Sequence, residues 1–157
     1  MKRMIILFIL VLILLIPAAL FRPRLHLVKG ESMQPTIRDG QFILSVIPSR
    51  IERGDVVIIE AADQKILKRV IGIPGDSIQI HDGRVYINGK MTDNIDTDYA
   101  GIAMAPIFLA DGEYFILCDN RGNSLDSRYT KIGVINERQI LRKVVILNQS
   151  AYTNHLS

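Results

Sequence analysis

The chain has 157 residues, 48% of them apolar, and one cysteine, Cys118, so it is long enough for one domain with its own core and cannot close an internal disulfide. Its formal charge of +3 resides at the N-terminal end, where Lys2, Arg3, Arg22 and Arg24 precede the first acid. Removing those four cations leaves −1 for residues 25–157, so that part carries no positive field for a phosphate backbone and nucleic acid is not expected as a partner.

The first element is apolar throughout. Met4 to Phe21 are 18 residues without a charge, and a helix of that length rises about 27 Å, close to the thickness of a hydrocarbon core. A removable secretory signal has a shorter apolar region and a small-x-small exit. Pro17-Ala18-Ala19-Leu20 offers small residues, but the apolar run continues through them. Residues 1–24 therefore read as an uncleaved, single-pass anchor with flanking charges, and residues 25–157 as a β-rich domain. Lys2 and Arg3 on one side balance Arg22 and Arg24 on the other, so charge alone does not orient the anchor.

Beyond the anchor the pattern predicts short strands over Gln41–Val46, Val56–Glu60, Ile66–Ile73, Ser77–His81, Arg84–Ile87, Tyr114–Leu117 and Val144–Leu147. Asp82-Gly83 and Asn88-Gly89 are two-residue hairpin signals, because both dipeptides tolerate positive φ. Arg53-Gly54-Asp55 and Pro74-Gly75-Asp76 mark further turns. Asn94 to Ala110 is the least regular stretch and reads as a surface excursion, and Asn136 to Lys143 as a short helical turn. The fold class is all-β: an antiparallel, barrel-like domain after one N-terminal transmembrane helix.

Two residues suggest chemistry. Ser32 sits in Gly30-Glu31-Ser32-Met33-Gln34-Pro35-Thr36, where Pro35 restricts Gln34 and is expected to present the serine on a stiff, extended segment. Lys68 lies in an apolar strand, on the same face as Ile66 and Val70. Desolvation disfavours the ammonium form of an amine, which is the condition a lysine general base needs. A serine hydroxyl requires such a base within reach. On local grounds each residue also has an ordinary reading, Ser32 as a turn residue and Lys68 as a side chain reaching out of a half-buried sheet. A Ser-His-Asp arrangement stays open for His26, His81 and His155, although each fits a surface or turn position.

Cys118-Asp119-Asn120-Arg121-Gly122-Asn123-Ser124-Leu125-Asp126-Ser127-Arg128 is dense in polar groups. It fails as a calcium loop, since Arg121, Ser124 and Thr130 fall where ligand, glycine and glutamate are required. The alternative is a scaffold in which Asp119 or Asp126 pairs with Arg121 or Arg128 beside the serine.

Taken together, Gly-x-Ser-Met-x-Pro-Thr at 30–36, Lys-Arg-Val-Ile-Gly-x-Pro-Gly-Asp at 68–76 and Asp-Asn-Arg-x-x-Ser-x-Asp-Ser-Arg at 119–128 resemble the signature boxes of the type I signal peptidase, or leader peptidase, family. Their order, after an N-terminal anchor, is also the family's, and Gly54-Asp55-Val56 matches its usual strand entry. The resemblance implies a Ser-Lys dyad in which Ser32 attacks the scissile carbonyl and Lys68 is the general base. Ser124 would orient the amine, Asp126 and Arg128 would form a supporting ion pair, and Asp119, Arg121 and Met33 would belong to the same support. The oxyanion would rest on the Ser32 backbone N–H. In some members a serine two residues earlier assists, and here that position is Gly30, as in the short Gram-positive form. A second departure is Cys118, where the family usually has glycine; its side chain would crowd the loop, and an exposed thiol there would be open to oxidation.

The implied activity is membrane-bound serine endopeptidase cleavage of signal peptides from exported preproteins with small residues before the bond. No metal or organic cofactor is implied. The implied location is the cell membrane, single-pass, with the N-terminus cytoplasmic and the catalytic domain on the extracytoplasmic face. A related protein that keeps the fold but serves as an assembly or chaperone factor for surface structures is the alternative. A self-cleaving repressor-type Ser-Lys peptidase is disfavoured by the anchor, and a penicillin-binding enzyme by the absence of Ser-x-x-Lys.

Overall fold

The structure, a computed structural model, describes residues 2–61, 63–94, 103–122 and 125–145, with the side chains at 12, 14–20, 93 and 94 outside that description. Helix α1 covers Lys2–Phe21. Its side chains from Met4 to Val11, with Ile13 and Phe21, stand exposed. Among the described residues no helix is long and apolar enough to cross a membrane.

Eleven strands follow: β1 Arg24–Leu27, β2 Phe42–Val46, β3 Val56–Ala61, β4 Gln64–Gly72, β5 Ser77–His81, β6 Arg84–Ile87, β7 Lys90–Asn94, β8 Met104–Phe108, β9 Glu113–Leu117, β10 Ile135–Asn136 and β11 Ile140–Val145. They form a seven-stranded sheet in the order β1-β2-β11-β3-β4-β9-β10 and a four-stranded sheet in the order β7-β6-β5-β8. Neighbouring strands run antiparallel throughout. The all-β expectation therefore holds.

β3 shows why the large sheet is central. Its run Val56-Val57-Ile58-Ile59 is β-branched and buried at every position, because alternate side chains enter two different clusters. Val57 and Ile59 join Val70, Tyr114, Ile116 and Ile135 on one face. Val56 and Ile58 join Met33, Ile37, Ile43 and Val144 on the other. β9 works the same way, with Tyr114 and Ile116 in the first cluster and Phe115 and Leu117 in a third. That third cluster is where the small sheet docks, through Ile78 and Ile80 of β5 and Val85 and Ile87 of β6.

Turn chemistry follows the sequence. Asp82 and Gly83 have φ of 50° and 67°, Asn88 and Gly89 have 53° and 77°, and each pair closes a hairpin with mirror-image turn geometry. Gly72 is required for a different reason, since a Cβ there would lie 2.7 Å from both Ile78 Cδ1 and Leu109 Cδ1. The two other predicted turns are tied together: Arg53 Nη2 reaches both Asp76 oxygens at 3.0 and 2.9 Å, and its Nη1 donates to the Ile71 carbonyl.

Four strands go beyond the sequence expectation. β1, β7 and β10 are short, and pairing with a stronger neighbour defines each. β8 lies inside the stretch expected to be an irregular excursion; its tail pairs with β5, and residues 95–102 lie outside the described set. The helical turn expected over 136–143 shrinks to a 3-10 turn at Glu137–Gln139 with an Asn136 capping box. From Ile140 onward the chain is strand, because alternate residues of β11 are buried against the sheet. Residues 146 and 147, expected in the last strand, lie outside the described set.

Candidate active site

Ser32 is held in a loop between β1 and β2. The base of that loop is closed by Val28 N–H donating to the Gln41 carbonyl and Gly40 N–H to the Val28 carbonyl, both at 2.9 Å. The segment around Ser32 is turned, not extended as Pro35 suggested. Gln34 N–H donates to the Glu31 carbonyl at 3.1 Å and Ile37 N–H to the Met33 carbonyl at 2.8 Å. The cause is apolar: Met33 and Ile37 are 2% and 0% exposed, and driving both into the core coils the backbone between them. Ser32 is half-buried beside them. Gly30 has φ of 98°, and its N–H donates to Asp39 Oδ1 at 2.7 Å. A serine at that position would be strained although space is open, so an assisting hydroxyl from residue 30 is incompatible with this loop.

Lys68 lies on β4 opposite Val57 and is 3% exposed. Its strand neighbours alternate as expected: Ile66 and Val70 pack against one cluster, Leu67 against the cluster that contains Met33. Ser32 and Lys68 both line one cleft of about 660 Å³, together with Met33, Ile43, Ile58 and Leu125. Two residues 36 positions apart in sequence thus line one cleft, whose walls mix apolar side chains with His26, Glu31 and Lys65.

The polar segment after β9 braces both. Asp119 takes Arg69 Nε at 2.7 Å and Nη2 at 2.6 Å, a buried two-pronged pair, while Arg69 Nη1 donates to the Gly54 carbonyl at 2.7 Å. Of the two acids expected to pair with an arginine of this loop, Asp126 does so, whereas Asp119 is engaged by Arg69, the residue after Lys68. Asn120 then clamps the serine turn, its N–H donating to the Ser32 carbonyl at 2.9 Å and its Nδ2 to the Glu31 carbonyl at 3.2 Å. Asp126 and Arg128 form the supporting pair the resemblance implied, with Nε to Oδ1 at 2.8 Å and Nη2 to Oδ2 at 2.9 Å. Arg128 Nη2 also donates to the Arg121 carbonyl, and Arg121 Nε to the Cys118 carbonyl. Ser124 lies outside the described residues.

Cys118 is fully buried, which overturns the exposed thiol expected from sequence. Its backbone N–H and its Sγ both donate to Asp126 Oδ2, at 3.2 and 3.0 Å. The added side chain fills a place in the network instead of crowding it. Burial pushes the Asp126 carboxyl up, but the bonds from Arg128 and Cys118 and the Arg128 charge outweigh it and hold the group below the ordinary carboxylate range. Arg128 is shifted up in turn: burial opposes its charge, and the bonds and charge of Asp126 prevail.

Sequence reasoning missed Arg69 and Asn120 as parts of this site. A signal for Arg69 was present, since two consecutive cations in an apolar strand cannot both leave by the same face. Among the described residues no cluster of three or more His, Cys, Asp or Glu is placed to hold a metal.

Fold and cleft define an antiparallel β protein in which a serine and a buried lysine line one groove. The chain belongs to the family described as signal peptidase, peptidase S26, whose model matches residues 1–148. It is 37% identical over 147 residues to a signal peptidase I of Bacillus licheniformis, covering 83% of this chain and 77% of that one. It is also 37% identical over 147 residues to signal peptidase I T of Bacillus subtilis, 83% and 75% of the respective chains. A crystal structure of a signal peptidase I from Enterococcus faecalis superposes with a TM-score of 0.46 at 24% identity, over 59% of this chain and 94% of that one. The protein is thus a serine peptidase of the S26 family.

Proposed function

We propose that this chain removes signal peptides from exported preproteins by a Ser32–Lys68 dyad. The observation that supports the reading is that one cleft is lined by both residues, with their neighbours tied to one loop: Asn120 holds the Ser32 backbone and Asp119 holds Arg69. A neutral amine is the form that accepts a proton. In this scheme the Lys68 amine takes the Ser32 hydroxyl proton as Oγ attacks the scissile carbonyl. The same proton passes to the leaving amine when the peptide bond breaks. Water, deprotonated by the amine, then hydrolyses the acyl-enzyme and restores both groups. Ser124 would steady the amine, and the oxyanion would rest on the Ser32 N–H.

The apolar stretch of the groove, at Met33, Ile43 and Ile58, suits small residues before the bond. We assign residues 1–24 to a single-pass anchor with a cytoplasmic N-terminus and residues 25–157 to an extracytoplasmic catalytic domain. The 18 uncharged residues from Met4 to Phe21 support the anchor. The test is incubation of the detergent-solubilised full chain with a preprotein ending its leader in Ala-x-Ala, with mass spectrometry of the cut site. Ser32→Ala and Lys68→Ala should each abolish the product while circular dichroism stays native. A preserved cut in the serine variant would refute the dyad.

A further inference from the structure

Where α1 hands over to the sheet, three arginines and a histidine converge. Arg142 of β11 is 8% exposed, yet its guanidinium donates to neutral oxygens: Nε to Ser45 Oγ at 2.7 Å, Nη2 to the Ser45 carbonyl at 3.1 Å and to the Arg22 carbonyl. His26 Nε2 lies 2.8 Å from the same Ser45 hydroxyl, and Arg24 stands opposite Ser45 in the β1–β2 register. The charges acting most strongly on Arg142 are those of Arg24 and Arg22, both repulsive, and burial and those cations lower its pKa. Burial comes first for His26 as well, followed by Arg142, Arg24 and Lys65, and its pKa is also lowered. Lys65 has an acid across the ladder, since it stands opposite Glu60. Among the described residues no ion pair engages Arg22, Arg24 or Arg142.

One of these cations has an internal explanation. Arg142 caps the Arg22 carbonyl just after the helix, where backbone oxygens lack partners. That carbonyl needs one donor, and among the described residues the Arg22 and Arg24 side chains have no carboxylate partner. The position of the cluster supplies the rest of the argument. Arg22 directly follows Phe21, the last residue of α1. The β1–β2 pair also exposes Leu25, Leu27 and Phe42, which belong to the opposite side of the strands from Arg24 and Ser45. Cations at the end of an apolar helix, on a strand pair whose other face exposes apolar side chains, form an interfacial pattern.

We propose that Arg22 and Arg24, with the charge of Arg142 behind them, form a site for the phosphodiester headgroup of an anionic phospholipid in the leaflet next to the catalytic domain. Phosphate oxygens would replace the acids missing from the cluster, with guanidinium forks as the donors. Phosphatidylglycerol fits this chemistry better than phosphatidylcholine, whose own ammonium competes for the phosphate. The site rests on reading α1 as the membrane anchor, and the two readings can fail separately.

The experiment takes the full chain in neutral detergent micelles doped with phosphatidylglycerol or phosphatidylcholine, and native mass spectrometry counts the lipids retained. One basic residue near an anionic surface is worth about fivefold in affinity, so phosphatidylglycerol should be retained at least about fivefold over phosphatidylcholine. Arg22→Gln/Arg24→Gln, at exposed positions, should abolish the preference without changing the melting temperature. Lys2→Gln/Arg3→Gln, at the other end of α1, should preserve it. Equal retention of the two lipids, or a preference that survives Arg22→Gln/Arg24→Gln, overturns the site. Displacement of the lipid by inorganic phosphate at matched concentration would also overturn it, in favour of a free-anion site. Alkaline extraction of reconstituted vesicles reads the anchor independently. A chain that washes off yet retains phosphatidylglycerol loses the anchor and keeps the headgroup site; one that stays embedded without the preference does the reverse.

Discussion

The two sheets bury different things. In the four-stranded sheet the interface is hydrocarbon: Ile78, Ile80, Val85 and Ile87 meet Phe115 and Leu117. The seven-stranded sheet and the loop after β9 instead bury Ser45, Lys68, Arg69, Arg121, Asp126, Ser127, Arg128 and Arg142. A buried charge is costly unless paired and hydrogen-bonded. A sheet that carries so many is organised for chemistry, and its partner for packing. Asp76 is the buried polar group at the seam, where β4 passes into β5, and Arg53 pairs with it.

The sharpest way to break this contrast is at Asp126. Asp126→Ala strips the carboxylate from a fully buried Arg128 and from the Cys118 thiol. Removing one member of such a pair costs about 3–5 kcal/mol, so urea denaturation should show a loss of that size together with lost preprotein cleavage. On the other sheet, Ile80→Ala opens a cavity at a fully buried site and should cost about 2–5 kcal/mol. Activity per folded molecule should be retained there, because no residue of the cleft belongs to β5. Lost cleavage in folded Ile80→Ala would erase the division of labour.

A finer test concerns Cys118. Cys118→Ala removes the thiol donor to Asp126 and leaves the backbone N–H donor in place, for an expected loss of about 1 kcal/mol. Cys118→Ser restores a donor and should recover most of it, as read by thermal melting. Equal losses in the two variants would mean that the thiol acts by volume alone.

Much of this organisation was legible in the chain. Asp82-Gly83 and Asn88-Gly89 named their hairpins because positive φ is a local property. The apolar run that opens 56–60 named a strand, and the structure buries it on both faces at 56–59. Ser32 and Lys68 were legible as a pair through their motifs, and the cleft has both on its lining. What escaped was set by partners distant in sequence. Asp119 could not be matched to Arg69, 50 residues away, because several arginines were equally eligible until the sheet was ordered. The turn at Ser32 was misjudged since the pull of Met33 and Ile37 into a core is invisible in a proline's local preference. β1 was missed because Arg24-Leu25-His26-Leu27 is only four residues long and follows directly on the apolar run, and its place is given by β2.

The smallest expected effect tests the seam between α1 and the large sheet. In the native state His26 is held below its ordinary value of 6.5, by burial first and then by Arg142, Arg24 and Lys65. The unfolded chain therefore binds more protons than the folded one just below that value. The resulting contribution is complete above pH 6.5 and disappears as the pH falls through the depressed native value. Urea midpoints should decline modestly as the pH is lowered from about 7 to about 5, and His26→Gln should flatten that decline. Arg24→Gln should weaken it by removing one of the repelling cations. An anionic headgroup bound to the arginines would screen the same repulsion. The His26 titration followed by NMR should then move upward in micelles doped with phosphatidylglycerol and stay in place with phosphatidylcholine, and no movement in the first case would separate the histidine from the arginine cluster.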